Sequence, residues 1–291
     1  MRFIHITDPH LSSLAGSNFW CMRGKRRLGY LSWTRNRRHF HKRSVLETMF
    51  DAVVERQPDY IAITGDLVQI GLPQELAEAR QWLDRMAGIA PLLLVPGNHD
   101  VYQSDSMEGI QAAWRDYLPE DMSGDGFPHV VTQGKMKFIL VNSSSPQPFW
   151  SAGGSVDGEQ MRRLEKILSA GDDAFRCVLV HHPPLPGLCA PRKAMRNASE
   201  FADLLKRYDV ELTLYGHVHR NQENVAARHS RILSTASASN TGPPALAAFR
   251  CFDIGFEPAM TRVRSRLMSL DLKSGQFQTV DEQTWDYAPA S

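Results

Sequence analysis

The sequence lacks the features that would mark a membrane-spanning protein, a disulfide-rich scaffold or a repeat array. Across its 291 residues no apolar run approaches the length of a bilayer span, and no internal repeat or low-complexity linker is visible. It has only four cysteines, widely spaced and without a Cys-x-x-Cys pair, which excludes zinc-ribbon and thioredoxin-type sites. The formal net charge of +1 indicates no global preference for a polyanion.

The chain also opens without the layout of a signal peptide, because a strand-like segment begins at Arg2. A cytoplasmic location is therefore expected. Apolar residues make up 42% of the sequence and charged residues 22%, which is ordinary for a soluble globular protein. Cys177 and Cys251 lie in strand-like apolar runs and are predicted to be small buried side chains.

Acidic residues are missing from one long stretch. Residues 9–46 contain no Asp or Glu, and residues 21–43, the basic segment, carry nine Lys or Arg side chains interleaved with aromatic and leucine side chains. Three interpretations stay open: a solvated excursion, a segment that binds the anionic inner face of a membrane, and a contact for a polyanionic substrate. Single-stranded nucleic acid could stack on the same aromatics, but nothing else in the chain supports it, so nucleic acid is not expected.

Hydrophobic periodicity predicts helices and strands that alternate in the first half of the chain and mostly strands after residue 229. The predicted strands span residues 2–7, 60–64, 91–95, 129–132, 137–141, 177–181, 211–215, 231–235, 247–254, 260–272 and 276–280. The predicted helices span residues 44–56, 73–87, 108–118, 158–169 and 198–207. We expect Asp157 to cap one helix, and Asn197 with Glu200 to form a capping box at another.

This order predicts an α/β fold in a single domain over residues 1–291. The basic segment is an insertion into it, and residues 247–291 form a β-rich C-terminal part that adds an antiparallel sheet. That part could pair with a second subunit, so a homo-oligomer stays open. A Gly- and Asp-rich loop is expected to follow the helix at 108–118.

Five of the apolar runs end in Asp, Asn or His, as expected for strands whose carboxyl ends carry the chemistry of an α/β sheet. The polar residues that follow these runs are Asp8, His10, Asp66, Asn98, His99, Asp100, His181, His217 and His219. Two Asp-x-His or His-x-His pairs, at 8–10 and 217–219, are predicted to share one face of an extended backbone. Imidazoles mixed with carboxylates suit Zn, Mn, Fe or Mg. Seven of these residues are possible ligands, too many for one ion but suited to two; they are Asp8, His10, Asp66, Asn98, His181, His217 and His219.

The other histidines are assigned by position alone. His182 follows His181 on a predicted strand and should point to the opposite face, into the core or behind the ligands. His5 lies inside the first strand and is predicted to be a hydrogen-bonded interior residue. The histidines without any motif are predicted to lie at the surface; they are His39, His41, His129 and His229.

Taken together, these motifs resemble the five sequence blocks of the calcineurin-like metallophosphoesterase family, in the family's order. The blocks are Asp8-x-His10, Gly65-Asp66, Gly97-Asn98-His99-Asp100, His181 and Gly216-His217-x-His219. Within the family, the run His181-His182-Pro183-Pro184 and the overall size are most similar to bacterial class III cyclic-nucleotide phosphodiesterases and their relatives. The resemblance implies a four-layer αββα sandwich of mixed sheets with a dinuclear metal site at the strand ends.

The resemblance also implies a metal-dependent phosphoric ester hydrolase with two divalent or trivalent ions, Mn, Fe, Zn or Mg. The implied ligands are Asp8, His10 and His219 for one metal, Asn98, His181 and His217 for the other, and Asp66 as the bridge. A hydroxide between the metals would attack phosphorus in line, with His99 as general acid and Asp100 orienting its imidazole. The substrate would be a small phosphodiester or a nucleotide-type molecule.

Two further interpretations stay open beside this one. UDP-2,3-diacylglucosamine pyrophosphatases share the metal blocks, so the chain could hydrolyse a lipid-linked phosphodiester or pyrophosphate while peripheral at the inner face of the membrane. A metal-binding interaction module without turnover is the third. Arg192 and Lys193 lie in the loop after His181 and are candidates for substrate binding.

Overall fold

The computed structural model describes residues 1–11, 13–120, 126–258 and 260–288. In these residues twelve strands form two mixed sheets of six strands each. The strands are β1 (Arg2–Ile6), β2 (Tyr60–Ile63), β3 (Leu92–Leu94), β4 (His129–Gln133), β5 (Met136–Leu140), β6 (Phe175–Leu179), β7 (Leu212–Tyr215), β8 (Gln222–Val225), β9 (Arg231–Ser234), β10 (Ala248–Phe256), β11 (Thr261–Asp271) and β12 (Gln276–Tyr287). The first sheet has the order β12-β11-β10-β1-β2-β3, and the second has the order β4-β5-β6-β7-β9-β8.

Helices cover the sheets and line the edge where the parallel strands end. They are α1 (Lys25–Ser32), α2 (Arg43–Arg56), α3 (Pro73–Ala87), α4 (Ser104–Ala113), α5 (Gly158–Leu168) and α6 (Ala198–Arg207). After α1 the chain continues through a π-helical turn, Trp33–Arg37, and a short α-helical turn, Arg38–Phe40. No helix in the described part of the chain is both long and apolar enough to cross a bilayer.

The two sheets pack face to face and bury the main core between them. The rings of Phe3 in β1 and Phe138 in β5 meet edge-on, with centroids 5.2 Å apart. On the outer face of the second sheet, Val178 packs in one cluster with Leu164 of α5 and Phe201 of α6. Helices α2 and α3 contribute apolar side chains to the core of the first sheet. The predicted four-layer αββα sandwich is therefore confirmed.

The C-terminal strands differ from the prediction in where they pair. Strand β10 lies antiparallel to β1, with Cys251 opposite Ile4, so β10–β12 extend the first sheet and do not form a sheet of their own. Strand β12 is longer than predicted, and β8 was not predicted. The alternation of apolar and polar residues is weak in both strands, because β8 and most of β12 have no fully buried face. A single domain over 1–291 stays a prediction, as does a homo-oligomer.

Of three predictions about where helices begin or end, one is confirmed and two are wrong. Asp157 caps α5, because its carboxylate accepts a hydrogen bond from the Gln160 amide at 2.8 Å. The Asn197–Glu200 capping box is wrong: the Asn197 side chain instead pairs with the backbone of Val156 at 2.7 and 3.2 Å. Helix α4 begins and ends four to five residues earlier than the predicted 108–118. The Gly- and Asp-rich loop expected after it includes residues 121–125, which lie outside the described residues.

The basic segment is not a solvated excursion, because it is helical and packs against the body. Trp33 is buried in a small cluster with Tyr102 and Ile70. Arg26 forms a two-pronged pair with Asp105 at 2.6 and 2.9 Å, and donates to the carbonyl of Ile70. These contacts fix the segment over the edge of the sheets where β1, β2 and β3 end.

Candidate metal centre

Five loops at the carboxyl ends of β1, β2, β3, β6 and β7 bring the seven predicted ligands together. In the first half of the centre, donor atoms of four side chains lie within 4.8 Å of one another; they belong to Asp8, His10, Asp66 and His219. The Nε2 atoms of His10 and His219 are 3.3 Å apart, and His219 Nε2 lies 3.0 Å from the Asp8 carboxylate. Imidazole nitrogens that converge in this way on carboxylate oxygens are an arrangement suited to a metal ion.

The predicted ligands of the second metal are His181, His217 and Asn98. His181 Nε2 lies 3.2 Å from Asn98 Oδ1 and 3.5 Å from the Asp66 carboxylate, so Asp66 reaches both halves. His217 Nε2 is buried and has no hydrogen-bond partner among the described residues. Leaving a buried imidazole nitrogen unpaired is unfavourable, and coordination of a metal would satisfy it. The residues therefore fit the dinuclear metal group that the motifs imply.

Backbone carbonyls fix which imidazole nitrogen faces the centre. His10 Nδ1 lies 3.0 Å from the Val68 carbonyl and His181 Nδ1 lies 2.7 Å from the Thr64 carbonyl. A carbonyl can only accept, so each Nδ1 is protonated and donates, and each Nε2 is left to bind a metal.

Electrostatics favour the metal-binding forms of Asp66, His10 and His217, whereas His181 is protonated beside Asp66 and must release that proton to bind a metal. Burial opposes a charge on Asp66, but His181 and His99 more than offset it and hold the pKa of Asp66 well below its usual range. Burial would lower the pKa of His181, yet Asp66 raises it to about 9. Burial lowers the pKa of His10 and of His217 well below 6.5, so both rings are neutral at pH 7. Ionised carboxylates and neutral imidazoles are the forms that coordinate metals.

The ligand loops owe their shape to left-handed backbone, and this corrects the expected extended geometry. Five of the predicted ligands have positive φ; they are Asp8 (50°), His10 (43°), Asp66 (57°), His217 (69°) and His219 (54°). Strands β1 and β7 have already ended at these pairs, so the alternation rule for strands does not apply. Such conformations cost about 1–3 kcal/mol each and persist where the surroundings enforce them, commonly at functional sites.

Glycines beside the ligands let the loops approach each other closely. A Cβ on Gly97 would lie 2.2 Å from the Asp66 carboxylate, and one on Gly216 would lie 1.9 Å from Thr7 Oγ1. The glycines of the Gly97-Asn98 and Gly216-His217 motifs are thus needed for space as well as for the turn.

His99 is placed as expected, but not by Asp100. Its backbone amide donates to the Asp66 carboxylate at 2.7 Å, and its Nδ1–H donates to the Gln69 carbonyl at 2.5 Å. Burial and the nearby Arg37 charge lower the pKa of His99 to about 3, so its ring is neutral at pH 7. A general-acid role therefore requires the ring to gain a proton when an anionic substrate binds.

The prediction that Asp100 orients the His99 imidazole is wrong. The buried Asp100 carboxylate accepts four backbone N–H bonds, from Asp66, Leu67, Val68 and Gly97, at 2.8–3.2 Å. These bonds join the loop that carries Asp66 to the loop that carries Asn98. Asp100 therefore holds two ligand loops together, and the Gln69 carbonyl orients His99.

His182 lies against the predicted ligands, which is one of its two expected positions, whereas His41 lies closer to the centre than predicted. The His182 ring is 5.0 Å from that of His181 and 4.7 Å from that of His217. Strand β6 ends at Leu179, so the side chains of His181 and His182 need not point to opposite faces. The ring of His41, expected at the surface, lies 4.7 Å from that of His10. His5 is confirmed as an interior residue, hydrogen-bonded to Thr64 and Thr235.

A cavity of about 580 Å³ opens over the centre. Its lining includes Asp66, Asn98, His217 and His219 from the metal centre, together with three basic side chains, Arg37, Lys193 and Arg220. Arg37 was not singled out as a site residue from the sequence. Arg192 is exposed and is not among the described residues that line the cavity, whereas its neighbour Lys193 is.

Relatives of this chain are phosphodiesterases. The 3',5'-cyclic adenosine monophosphate phosphodiesterase CpdA of Escherichia coli (strain K12) is 26% identical over 245 residues, which cover 81% of this chain and 76% of CpdA. The glycerophosphodiester phosphodiesterase GpdQ of Enterobacter lignolyticus is 28% identical over 179 residues, which cover 57% of this chain and 58% of GpdQ. The predicted similarity to bacterial cyclic-nucleotide phosphodiesterases is confirmed.

Solved structures agree on the fold. A dimetal phosphatase from Danio rerio matches with a TM-score of 0.64 at 14% identity over 99% of both chains. The purple acid phosphatase PPD1 from yellow lupin (Lupinus luteus) matches with a TM-score of 0.62 at 13% identity, covering 98% of this chain and 53% of that one. A family model described as calcineurin-like phosphoesterase matches residues 1–221, a span that contains every predicted ligand. The protein therefore belongs to the calcineurin-like phosphoesterase family of metal-dependent phosphoric ester hydrolases.

Proposed function

We propose that this protein is a dinuclear-metal phosphodiesterase that acts on small phosphodiesters, such as a cyclic nucleotide or a glycerophosphodiester. The observation that carries the proposal is the convergence of two donor sets on the shared carboxylate of Asp66, at the floor of a cavity large enough for a nucleotide. The relatives named for cyclic AMP and for glycerophosphodiesters support the substrate class.

The predicted ligands form two sets that share one carboxylate. Asp8, His10 and His219 would hold one metal, Asn98, His181 and His217 would hold the other, and Asp66 would serve both. When bound, such a metal pair activates a water molecule and offsets the charge of the phosphate. His99 faces the same cavity with its ring fixed by Gln69, so its free nitrogen can contact the leaving oxygen.

Hydrolysis of bis(p-nitrophenyl) phosphate by chelator-treated protein resupplied with Mn²⁺ tests the proposal. We expect turnover that is lost in Asp66→Ala and falls by about 10²–10⁴-fold in His99→Ala, while the exposed His129→Ala control keeps wild-type activity. Turnover without added metal, or activity retained in Asp66→Ala, would contradict the proposal. Metal binding without turnover of any ester would leave the interaction-module interpretation in its place.

A substrate panel separates the remaining substrate classes. With Mn²⁺, we expect 3',5'-cyclic AMP and glycerophosphocholine to be cleaved faster than p-nitrophenyl phosphate, a monoester, and faster than a UDP-linked lipid. A preference for the monoester would contradict a phosphodiesterase, and a preference for the UDP-linked lipid would replace the small-diester assignment with the membrane-surface hydrolase.

One observation favours that membrane-surface alternative. Large aromatic side chains are exposed near the start of α1; Trp20 is 80% exposed, and Phe149 and Trp150 are 64% and 65% exposed. Lys25 Nζ lies 3.4 Å from carbonyls at 147 and 151, which places the Phe149–Trp150 loop beside the basic segment. Sedimentation with phosphatidylglycerol vesicles, lost in Phe149→Ser/Trp150→Ser, would support it; protein that stays in solution would exclude it.

A further inference from the structure

Arg37 brings a cation from the basic segment into the catalytic cavity. It ends the π-helical turn Trp33–Arg37, and its side chain lines the cavity beside His99. Its Nη1 lies 3.4 Å from Gln69 Oε1 and 3.1 Å from His99 Nδ1. His99 Nδ1 carries a hydrogen that it donates to the Gln69 carbonyl, so it cannot also accept a hydrogen bond from Arg37. The Arg37 guanidinium therefore acts on His99 through its positive charge. Single π-helical turns occur frequently at functional sites.

No carboxylate of the described residues pairs with this guanidinium within 4.0 Å, although other half-buried arginines have partners. Arg26 pairs with Asp105, and Arg176 pairs with Glu211 at 2.9 Å. The carboxylates whose charge reaches Arg37 include Asp66 and Asp8, which are candidate metal ligands. A guanidinium stays charged at any physiological pH, so a half-buried one that lines the cavity without a carboxylate partner can bind an anion there.

The donors that Arg37 leaves free suit a phosphate. Only its Nη1 is in hydrogen-bond reach of a described residue, so Nε and Nη2 remain to donate. A guanidinium presents paired N–H groups in a plane, and the two non-bridging oxygens of a phosphodiester match that spacing. Lysine offers one point charge and cannot reproduce the pair.

We propose that Arg37 is a substrate-binding residue whose guanidinium binds the non-bridging oxygens of the scissile phosphate beside His99. This inference rests on the proposed phosphodiesterase function. It makes the basic segment a wall of the active site, held in place by the burial of Trp33 and by the Arg26–Asp105 pair.

Three variants test the role of Arg37, with Mn²⁺-loaded protein and bis(p-nitrophenyl) phosphate. We expect kcat/KM to fall about 10²–10³-fold in Arg37→Ala and to recover only partly in Arg37→Lys. Arg35→Ala removes an exposed arginine of the same turn and should stay within about twofold of wild type. Free guanidinium ion should restore part of the activity of Arg37→Ala and none of that of His99→Ala, which a merely structural role would not produce.

Binding of inorganic phosphate to the metal-loaded protein, measured by calorimetry, separates this inference from the proposed function. We expect Arg37→Ala to keep two bound metals per chain by elemental analysis and to bind phosphate about tenfold more weakly. Phosphate affinity unchanged in Arg37→Ala, or weakened only together with loss of metal, would overturn the inference. Absence of turnover in the wild type would refute the proposed function while the calorimetric comparison still decides the role of Arg37.

Discussion

The imidazole of His41 lies against that of His10, with ring centroids 4.7 Å apart, although it comes from a segment without any metal motif. Its Nδ1 is 2.7 Å from Ser239 Oγ, which leaves Nε2 available beside His10 and His219. Donor atoms of these three histidines fall within 4.8 Å of one another. The basic segment therefore contributes an imidazole to the edge of the metal centre.

His41→Ala should weaken the binding of one of the two metals by about tenfold or more, because residues that support metal ligands typically contribute that much to affinity. Calorimetric titration of chelator-treated protein with Mn²⁺ measures both sites. His39→Ala is the matched control, since His39 is exposed and only two residues away. Equal affinities in His41→Ala and wild type would show that the ring takes no part in metal binding.

Asp100→Asn should destabilise the fold by about 2–4 kcal/mol, because one amide oxygen cannot accept the four backbone bonds that the carboxylate now accepts. The new NH₂ group would also face backbone N–H donors. Urea unfolding of metal-free protein gives the free energy directly. Asp105→Asn, which alters a largely exposed carboxylate paired with Arg26, should cost less than about 1 kcal/mol. A similar loss in both variants would contradict the role assigned to Asp100.

Acid should destabilise the protein through His5, which is buried between Thr64 and Thr235. Burial, followed by the Arg250 charge, lowers the pKa of His5 to about 3, against 6.5 for a free imidazole. Between these values the unfolded chain binds the extra proton, so stability falls as pH falls, by at most about 1.4 kcal/mol per pH unit. Above pH 6.5 this contribution is fully present.

Replacing His5 by Asn removes the titration, so the stability difference between wild type and His5→Asn should shrink as pH falls below about 6.5. Urea unfolding of both metal-free proteins at pH 7.5, 6 and 5 measures it, and the ligand histidines titrate equally in both. A stability difference that stays constant across this range would show that the pKa of His5 is not lowered in the folded protein.

The sequence was sufficient for residues whose position depends on a local motif. Asp66 and Asn98 follow buried parallel strands, and the carboxyl ends of such strands meet at one edge whatever the loops do. The same reasoning confirmed β1–β3 and the order of helices between them. It could not assign β10 to the first sheet, because that pairing joins residues some 250 positions apart along the chain.

Arg37 and His41 could not be found in this way, since tertiary contacts alone place them. Trp33 fixes the helical turn that carries Arg37, and Ser239, from the far end of the chain, holds His41. Asp100 was misassigned for a related reason. Its four amide partners lie in two loops, one of which contains the left-handed backbone of Asp66, and spacing along the sequence does not reveal that arrangement.

The charges around the cavity lead to a further expectation about substrate. Lys193 and Arg220 line it beyond Arg37, and neither forms an ion pair with a described residue. Asp66 is the one acidic group among the described lining residues, and it belongs to the metal centre. A simple diester carries one negative charge and leaves these two cations without a counter-charge. A diester with an additional phosphate should therefore bind more tightly.

The dinucleotides ApA and pApA form a matched pair, because they differ only in a terminal phosphate. As competitors of bis(p-nitrophenyl) phosphate hydrolysis at low salt, pApA should inhibit at about fivefold to tenfold lower concentration than ApA, given up to about 1 kcal/mol for each partly exposed cation. In Lys193→Ala/Arg220→Ala the ratio should approach one, whereas in the exposed Arg35→Ala it should persist. Equal inhibition by both dinucleotides in the wild type, or a ratio that survives the double substitution, would show that Lys193 and Arg220 do not bind a second phosphate.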